Sequence, residues 1–190
     1  MCIRDRSAIG LTLGRKISEG VTKTEEFDPG AWFVTTQKIL QDQYVSDFGS
    51  AAGGMKSIKS STNYMCGFHK RNTCSQSQQL LRTADRDSRF FKACTFKCHY
   101  KQSKKSYLES RESVTNFPYF MTEAAYSGKI TPRRLLVIDE AHNIETELSR
   151  FVEVTITDRF VKHVLKTTLP RHQTQFQAFK WVRDIYFPKA

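Results

Sequence analysis

The sequence predicts an α/β fold with an open parallel sheet, on three observations. Leu135-Leu136-Val137-Ile138 is an unbroken aliphatic run bounded by charge, the pattern of a central parallel strand buried on both faces. That run ends in Asp139 and Glu140, so two acids sit at a strand's carboxyl tip, where the loops of open α/β sheets surround a ligand crevice. Ala31-Trp32-Phe33-Val34-Thr35-Thr36 is a second strand, rich in β-branched and aromatic residues. Gln37 then opens a helix in which Leu40, Tyr44 and Phe48 recur every fourth residue.

A chain of 190 residues accommodates one core, or one core plus an insertion. Its formal charge of +11 and pI of about 9.6 favour a polyanionic partner. Between Lys56 and Lys105 there are 12 Lys and Arg against 2 Asp, a net of +10, so nearly all of the excess lies in one stretch. No run of 18 apolar residues exists, which argues against a membrane span. The N-terminus lacks the apolar core of a signal peptide, which points to a reducing compartment and to thiols in place of disulfides.

In chain order, Met1-Cys2-Ile3-Arg4-Asp5-Arg6 fits no element. It is similar to the translated sequencing-adapter junctions at the ends of metagenomic reading frames and is read as a non-native leader, which excludes Cys2 from the metal arithmetic. Ser7 to Arg15 predicts a helix with Ile9, Leu11 and Leu13 on its apolar side, and Ser7 suits its N-cap. Pro29-Gly30 is a turn signal ahead of the Ala31 strand. Thr35 and Thr36 stand at that strand's tip, where hydroxyls can cap the next helix. Gly49 to Asn63, rich in Gly, Ser and Ala, predicts a flexible, loop-like lead-in to an inserted segment.

Further on, Glu112 to Phe120 predicts a strand running into a turn marked by Pro118, then a short helix from Met121 to Tyr126. Val152, Val154 and Ile156 alternate with Glu153 and Thr155 as a short half-exposed strand. Asp158 caps a helix carrying Phe160, Val161, Val164 and Leu165, which Pro170 ends. A last helix carries Phe176, Phe179, Val182 and Tyr186.

Two clusters carry chemistry. The adjacent carboxylates of Asp139 and Glu140 suit a magnesium-nucleotide site, one holding the cation through oxygen and the other orienting a water. A helix first turn, where the dipole favours acids, is the lesser alternative. Cys66, Cys74, Cys94 and Cys98 stand at spacings of seven, nineteen and three intervening residues. Four thiolates bind zinc or an iron-sulfur cluster; the short paired spacing of zinc ribbons is absent, while His69 and His99 remain as nitrogen ligands for zinc. The same segment interleaves Tyr64, Phe68, Phe90, Phe91, Phe96 and Tyr100 with basic residues. That suits a single-stranded DNA track, or rings packed around a metal. Lys70, Arg71, Lys97, Lys101, Lys104 and Lys105 are the candidate phosphate contacts, with binding that falls steeply as salt is added.

Asp139-Glu140-Ala141-His142, followed by Asn143-Ile144-Glu145, resembles the DEAH box of superfamily 2 helicases. The extended form is similar to that of the iron-sulfur DNA helicases of the XPD and DinG type. The resemblance covers residues 7 to 190 and rests on three features in order: Thr35-Thr36-Gln37 at a strand end, the four cysteines, and the extended box. It implies a RecA-like P-loop NTPase motor domain in which Asp139 binds Mg2+, Glu140 prepares the attacking water and His142 completes the catalytic box. Ser7 resembles the magnesium-binding hydroxyl that ends the phosphate loop, so Ser7, Asp139 and Glu140 form the implied site for ATP and Mg2+. Thr35, Thr36 and Gln37 resemble a motif that contacts the DNA backbone. Cys66, Cys74, Cys94 and Cys98 resemble the ligands of a [4Fe-4S] cluster stapling a small domain beside the point where duplex strands part.

The layout so implied is a leader at 1–6, motor domain at 7–55 and 107–150, cluster insertion at 56–106 and the beginning of a helical arch at 151–190. Arg4-Asp5-Arg6 departs from the family, standing where the loop's glycines and lysine belong. Without them the backbone cannot cradle phosphates, so negligible ATP turnover is expected of this chain, which also carries no second motor domain. The implied parent is a bacterial or phage-encoded ATP-dependent DNA helicase of 5′ to 3′ polarity. It would act on single-stranded or forked DNA in the cytoplasm of a bacterial cell or a phage-infected host, with no membrane partner. The residues alone leave open a non-enzymatic nucleic-acid-binding module held by zinc or an iron-sulfur site.

Overall fold

A computed structural model of the protein describes residues 3–50, 54–153, 155–171 and 174–189. Its chain divides into two units, one ending at Phe151 and the other starting at Val152. The first is mixed α/β. Strands β1 (Asp28–Thr35), β2 (Lys56–Ser57), β3 (Glu112–Asn116) and β4 (Arg133–Ile138) form one wholly parallel sheet in the order β2-β3-β1-β4. The central strands are β1, buried from Gly30 to Thr35, and β3. Strand β4 lies at the edge among the described residues, with Leu136 46% exposed, which corrects the expectation of a central strand buried on both faces. An aliphatic run reports apolar surroundings but not how many strands flank it; here Trp32-Phe33-Val34 holds the middle.

Helix α1 (Ile3–Ser18) lies against β1 and β4. It begins inside the supposed leader, so residues 3–6 do join an element, and Ser7 is an interior helix residue, not an N-cap. Its packed face is also different from that expected: Ser7, Leu11, Gly14 and Ser18 are buried, while Ile9 and Leu13 are 60% and 46% exposed. Small residues explain the rotation. A Cβ on Gly10 would come within 3.0 Å of Val137 and one on Gly14 within 3.1 Å of Ala31, so the glycines let the helix sit close on the strands. Leu11 then joins Phe33, Tyr44, Met55 and Val114 in one core.

Other elements shift for local reasons. Pro29-Gly30 lies within β1, not in a turn before it, at a register shift between Asp28 and Ala31 in the β4 pairing. Gly30 has φ 111°, and a Cβ there would fall 2.1 Å from the Arg111 carbonyl oxygen. Helix α2 (Lys38–Phe48) buries Gln41 and Tyr44. Lys56–Ser57 pairs with Ser113–Val114, and Met55 and Ile58 are buried, so this part of the loop-like lead-in belongs to the sheet. Buried Gln41 stitches it down by donating from Nε2 to the Ile58 carbonyl at 2.6 Å. Pro118 opens helix α6 (Phe117–Thr122) where a turn was expected; proline suits a first turn, and Asn116 caps it by accepting from Tyr119 N–H.

The opposite face of the sheet is organised by Arg133. Its guanidinium lies 3.5 Å over the Trp32 ring. It donates to the carbonyls of Leu108 (3.1 Å), Ser110 (2.7 Å) and Ala31 (3.1 Å), with longer contacts to Arg111 O and Ser113 Oγ. Burial lowers its pKa from 12.5 to about 10, so the cation persists at neutral pH. Trp32 donates from Nε1 to Thr131 O at 2.9 Å and packs on Tyr107. Tyr107 belongs to helix α5 (His99–Glu109), which is therefore tied to the sheet.

The same helix carries Lys104, whose Nζ is 2.6 Å from Glu123 Oε1, both side chains being mostly buried. Burial opposes ionisation of Glu123, but the Lys104 and Ser127 hydrogen bonds outweigh it and hold the carboxyl below its ordinary 4.5. A depressed folded-state pKa contributes stability above the unfolded value, and that contribution is lost as pH falls through the folded one. E123Q is expected to flatten the acid side of the stability profile, compared by urea unfolding at about pH 6 and about pH 3.5. An unchanged acid slope would remove Glu123 from the account.

In the second unit, helix α8 (Asp158–His163) is capped by Thr157, which accepts from Phe160 N–H at 3.2 Å, so the cap lies one residue before the expected Asp158. Helix α9 (Gln175–Trp181) continues into a π-helical turn, Val182–Tyr186. Val161, Leu165 and Trp181 form this unit's core. Phe176 and Phe179 of α9 are exposed. The alternating strand is not formed: Val152 ends helix α7 (Ile144–Val152), residues 155–157 are irregular, and Val154 lies outside the described residues.

Candidate metal and nucleotide sites

Helix starts set the positions of three cysteines. Thr73 caps helix α3 (Cys74–Leu81) through a reciprocal pair, accepting from Gln76 N–H while the Gln76 side chain accepts from Thr73 N–H. Cys74 is thereby held in the first turn. Ser88 caps helix α4 (Arg89–Phe96), whose buried face presents Phe90 and Cys94. Cys98 immediately precedes α5, and Cys66 sits in the loop closed by the Met65–Thr73 bridge. All four cysteines line one pocket of about 450 Å³, with Met65, Phe68 and Phe90 among its apolar walls.

The sulfurs are not alike. Cys66 Sγ accepts from His69 N–H at 3.3 Å. Burial opposes its ionisation, yet the Ser77 hydroxyl and the backbone N–H groups of His69 and Phe68 outweigh that and bring the thiol below its ordinary value. Burial pushes Cys74 up to about 12, helped by the neighbouring sulfurs, and raises Cys94 as well. Cys74 and Cys98 stand with sulfurs 3.7 Å apart. Among the described residues no group of three or more His, Cys, Asp or Glu side chains is drawn together tightly enough to hold one metal ion.

The basic residues divide. Lys70, Arg71, Lys97 and Lys101 are exposed, and Lys97 lines the cysteine pocket. Lys104 is engaged by Glu123, and Lys105 lies 3.8 Å from Glu109. Among the rings, Tyr64 and Tyr100 pack against the Trp32 core and Phe90 is buried, whereas Phe68 and Phe96 are 46% and 75% exposed.

At the carboxyl end of the sheet, Asp139 follows β4 and donates its N–H to Val34 O at 2.8 Å. Asp139 Oδ1 accepts from Glu140 N–H, while Oδ2 is buried with no hydrogen-bond partner of good geometry. Ser7, Tyr44 and Asp139 line one cleft, and Tyr44 and Asp139 line a second hollow with Glu140 and His142. Burial raises the Tyr44 pKa; its Ser7 hydrogen bond opposes this, and the nearby Asp139 charge adds to it. Glu140 has φ 59°, a strained value for a residue with a side chain, and its Oε2 lies 3.4 Å from His142 Nε2. Thr35 is buried and donates from Oγ1 to Gln37 O, the Thr36 hydroxyl is buried without a partner, and Gln37 is exposed.

Two residues at these sites escaped sequence reasoning. Tyr44 reads as one more apolar position on α2, and only its place between Ser7 and Asp139 gives the hydroxyl a role. Ser77 lies one turn beyond Cys74, and nothing in the sequence marks it as a neighbour of Cys66.

No protein-family model, curated protein or solved structure matches the chain. Among the described residues, no helix is long and apolar enough to cross a membrane.

Proposed function

We propose that this chain carries part of the first motor domain of an ATP-dependent, iron-sulfur DNA helicase of the DEAH-box type. The observation that carries the reading is the cleft at the sheet's carboxyl end. There a buried carboxylate oxygen of Asp139 that lacks a well-formed hydrogen bond lines one tight cleft with Tyr44 and with Ser7, 132 positions earlier in the sequence. A hard cation is the natural complement of such an oxygen, since an unpaired buried acceptor is costly. Asp139 would hold Mg2+ through Oδ2 and Ser7 would add a hydroxyl ligand. Glu140, aimed by its left-handed backbone, would orient water at the nucleotide, with His142 steadying its carboxylate.

The cysteine pocket has the thiols and the room for a cluster, although its closest sulfur pair stands at a zinc-like spacing that a cluster would widen. One zinc ion holds tetrahedral sulfurs about 3.8 Å apart, from Zn–S distances of about 2.3 Å, and of the four thiols Cys74 and Cys98 make such a contact, at 3.7 Å. A cluster with an iron behind each thiolate spreads its ligands wider, as a 450 Å³ pocket allows. When bound, a [4Fe-4S] cluster would supply a four-point crosslink joining the Cys66 loop, α3, α4 and α5. Phe68 and Phe96, with Lys70, Arg71, Lys97 and Lys101, would track single-stranded DNA.

A second reading, a non-enzymatic nucleic-acid-binding module with zinc or a cluster, is favoured by one observation. Residues 3–6 are helical and Ser7 is inside α1, so the described residues immediately ahead of Ser7 form helix and not a phosphate loop. The test uses protein purified without oxygen. About four irons and four sulfides per chain, as four thiolate ligands permit, together with weak Mg2+-dependent ATP binding lost in D139N and kept in E140Q, is the expected result. ATP turnover by this chain is expected to be negligible. Stoichiometric zinc without sulfide and no Mg2+-dependent nucleotide binding would overturn the helicase in favour of the module.

A further inference from the structure

The four pocket cysteines are set up for more than ligation. Cys74 opens α3, Cys98 immediately precedes α5, and their sulfurs lie 3.7 Å apart, against about 2.05 Å in a disulfide. Cys94 also faces Cys98, from the end of the preceding helix and four residues away, and is the competing partner for it, whereas the sulfur–sulfur contact at 3.7 Å is that of Cys74 with Cys98. Cys66 is held elsewhere, its sulfur accepting from His69 N–H. The pocket is lined on the remaining side by Met65 and Phe68, both partly exposed, so a small oxidant can reach it. We propose that Cys74 and Cys98 form a reversible disulfide in the metal-free protein, and that this bond gates metal loading by removing two of the four thiolates.

The chemistry balances with a small-molecule disulfide such as oxidised glutathione as the oxidant. One thiolate attacks it, its S–S bond breaks and one small thiol leaves. The second thiolate displaces the other small thiol as the Cys74–Cys98 bond forms, and the two protein-thiol protons end on the two released thiols. The bond ties α3 to α5, and α5 is anchored on the sheet through Tyr107 and Lys104. The oxidised chain therefore keeps its fold around an empty pocket, ready for reduction. The gate rests on the four-thiolate reading above; the sulfur pairing does not.

The test uses the full chain with C2S throughout, stripped of metal by a chelator and freed of reductant without oxygen. It is titrated with oxidised glutathione, alkylated and mapped by mass spectrometry. A Cys74–Cys98 cross-linked peptide, the loss of two alkylatable thiols and full alkylation of Cys66 and Cys94 are expected. The C66S/C94S variant should form the same bond, which guards against a C74S chain that merely fails to fold. A Cys94–Cys98 bond or any other pairing as the main product, or four free thiols throughout, overturns the proposal. Iron and zinc uptake are then compared before and after reduction. Uptake confined to the reduced chain supports the gate, and equal uptake by the oxidised chain refutes it. A reduced chain that takes up neither metal sinks the metal reading and the gate with it, while the peptide map still decides the bond.

Discussion

Replacing Arg133 by methionine is expected to lower the unfolding free energy of the first unit by about 3 kcal/mol, with a range of roughly 2 to 4. The guanidinium is nearly buried, has no carboxylate partner and is held by neutral acceptors alone. Methionine preserves the apolar stack on Trp32 but removes the guanidinium bonds to the carbonyls of Ala31 in β1, Leu108 in α5 and Ser110 in the loop from α5 to β3, of which Ser110 O keeps the Ser113 hydroxyl. The buried Ala31 acceptor has no access to replacement water, whereas the other two are partly exposed, which keeps the loss below the full sum of bonds lost. Lysine should recover only part, because one ammonium cannot reach acceptors spread across a planar fork. Urea unfolding of R133M and R133K measures both, and a loss under about 1 kcal/mol for R133M would mean that the loop is held by packing instead.

Chelation under reducing conditions is expected to produce the other large effect, and a local one. Helices α3 and α4 contain eight residues each, and their buried side chains are Cys74, Ser77, Phe90 and Cys94. So small an apolar core holds some thirty residues only weakly, and on the reading proposed above a bound metal would add most of their stability. Removing it should cost at least about 4 kcal/mol there, roughly a thousandfold in amide hydrogen-exchange protection across α3 and α4. Protection in β1 and β3 should change little, because their side chains pack in cores that hold none of the four cysteines. Uniform protection before and after chelation would show the segment to be self-supporting and would remove the structural role given to the metal.

The cores and carboxyl ends of strands β1 and β4 were legible, because β-branched and aliphatic runs bounded by polar residues have few other structures open to them, whereas their starts at Asp28 and Arg133 were not. Nor was their order. Strand pairing is a long-range property, and Lys56–Ser57 carries no hydrophobic signal that would assign it to a sheet. The face of α1 was misjudged for a related reason: counting apolar side chains favours Ile9 and Leu13, while close packing chose Gly10, Gly14, Ser7 and Ser18 for their lack of bulk. At the candidate sites, thiols and carboxylates announce themselves by chemistry, so Cys66, Cys74, Cys94, Cys98 and Asp139 could be named at once. Tyr44 and Arg133 could not, since a tyrosine in a helical stripe and an arginine ahead of a strand have ordinary explanations until their neighbours are known.

The chain's two tryptophans fall one in each unit, both in cores. Trp32 lies under a cation and beside Tyr107, whereas Trp181 packs with aliphatic Val161 and Leu165. A positive charge held against an indole shifts its emission and quenches it, so the two rings should differ in colour and yield. W181F then leaves a single emitter seated where α5 meets the sheet. Its light would follow, in real time and without a label, any strain carried along that helix from the thiols at its other end.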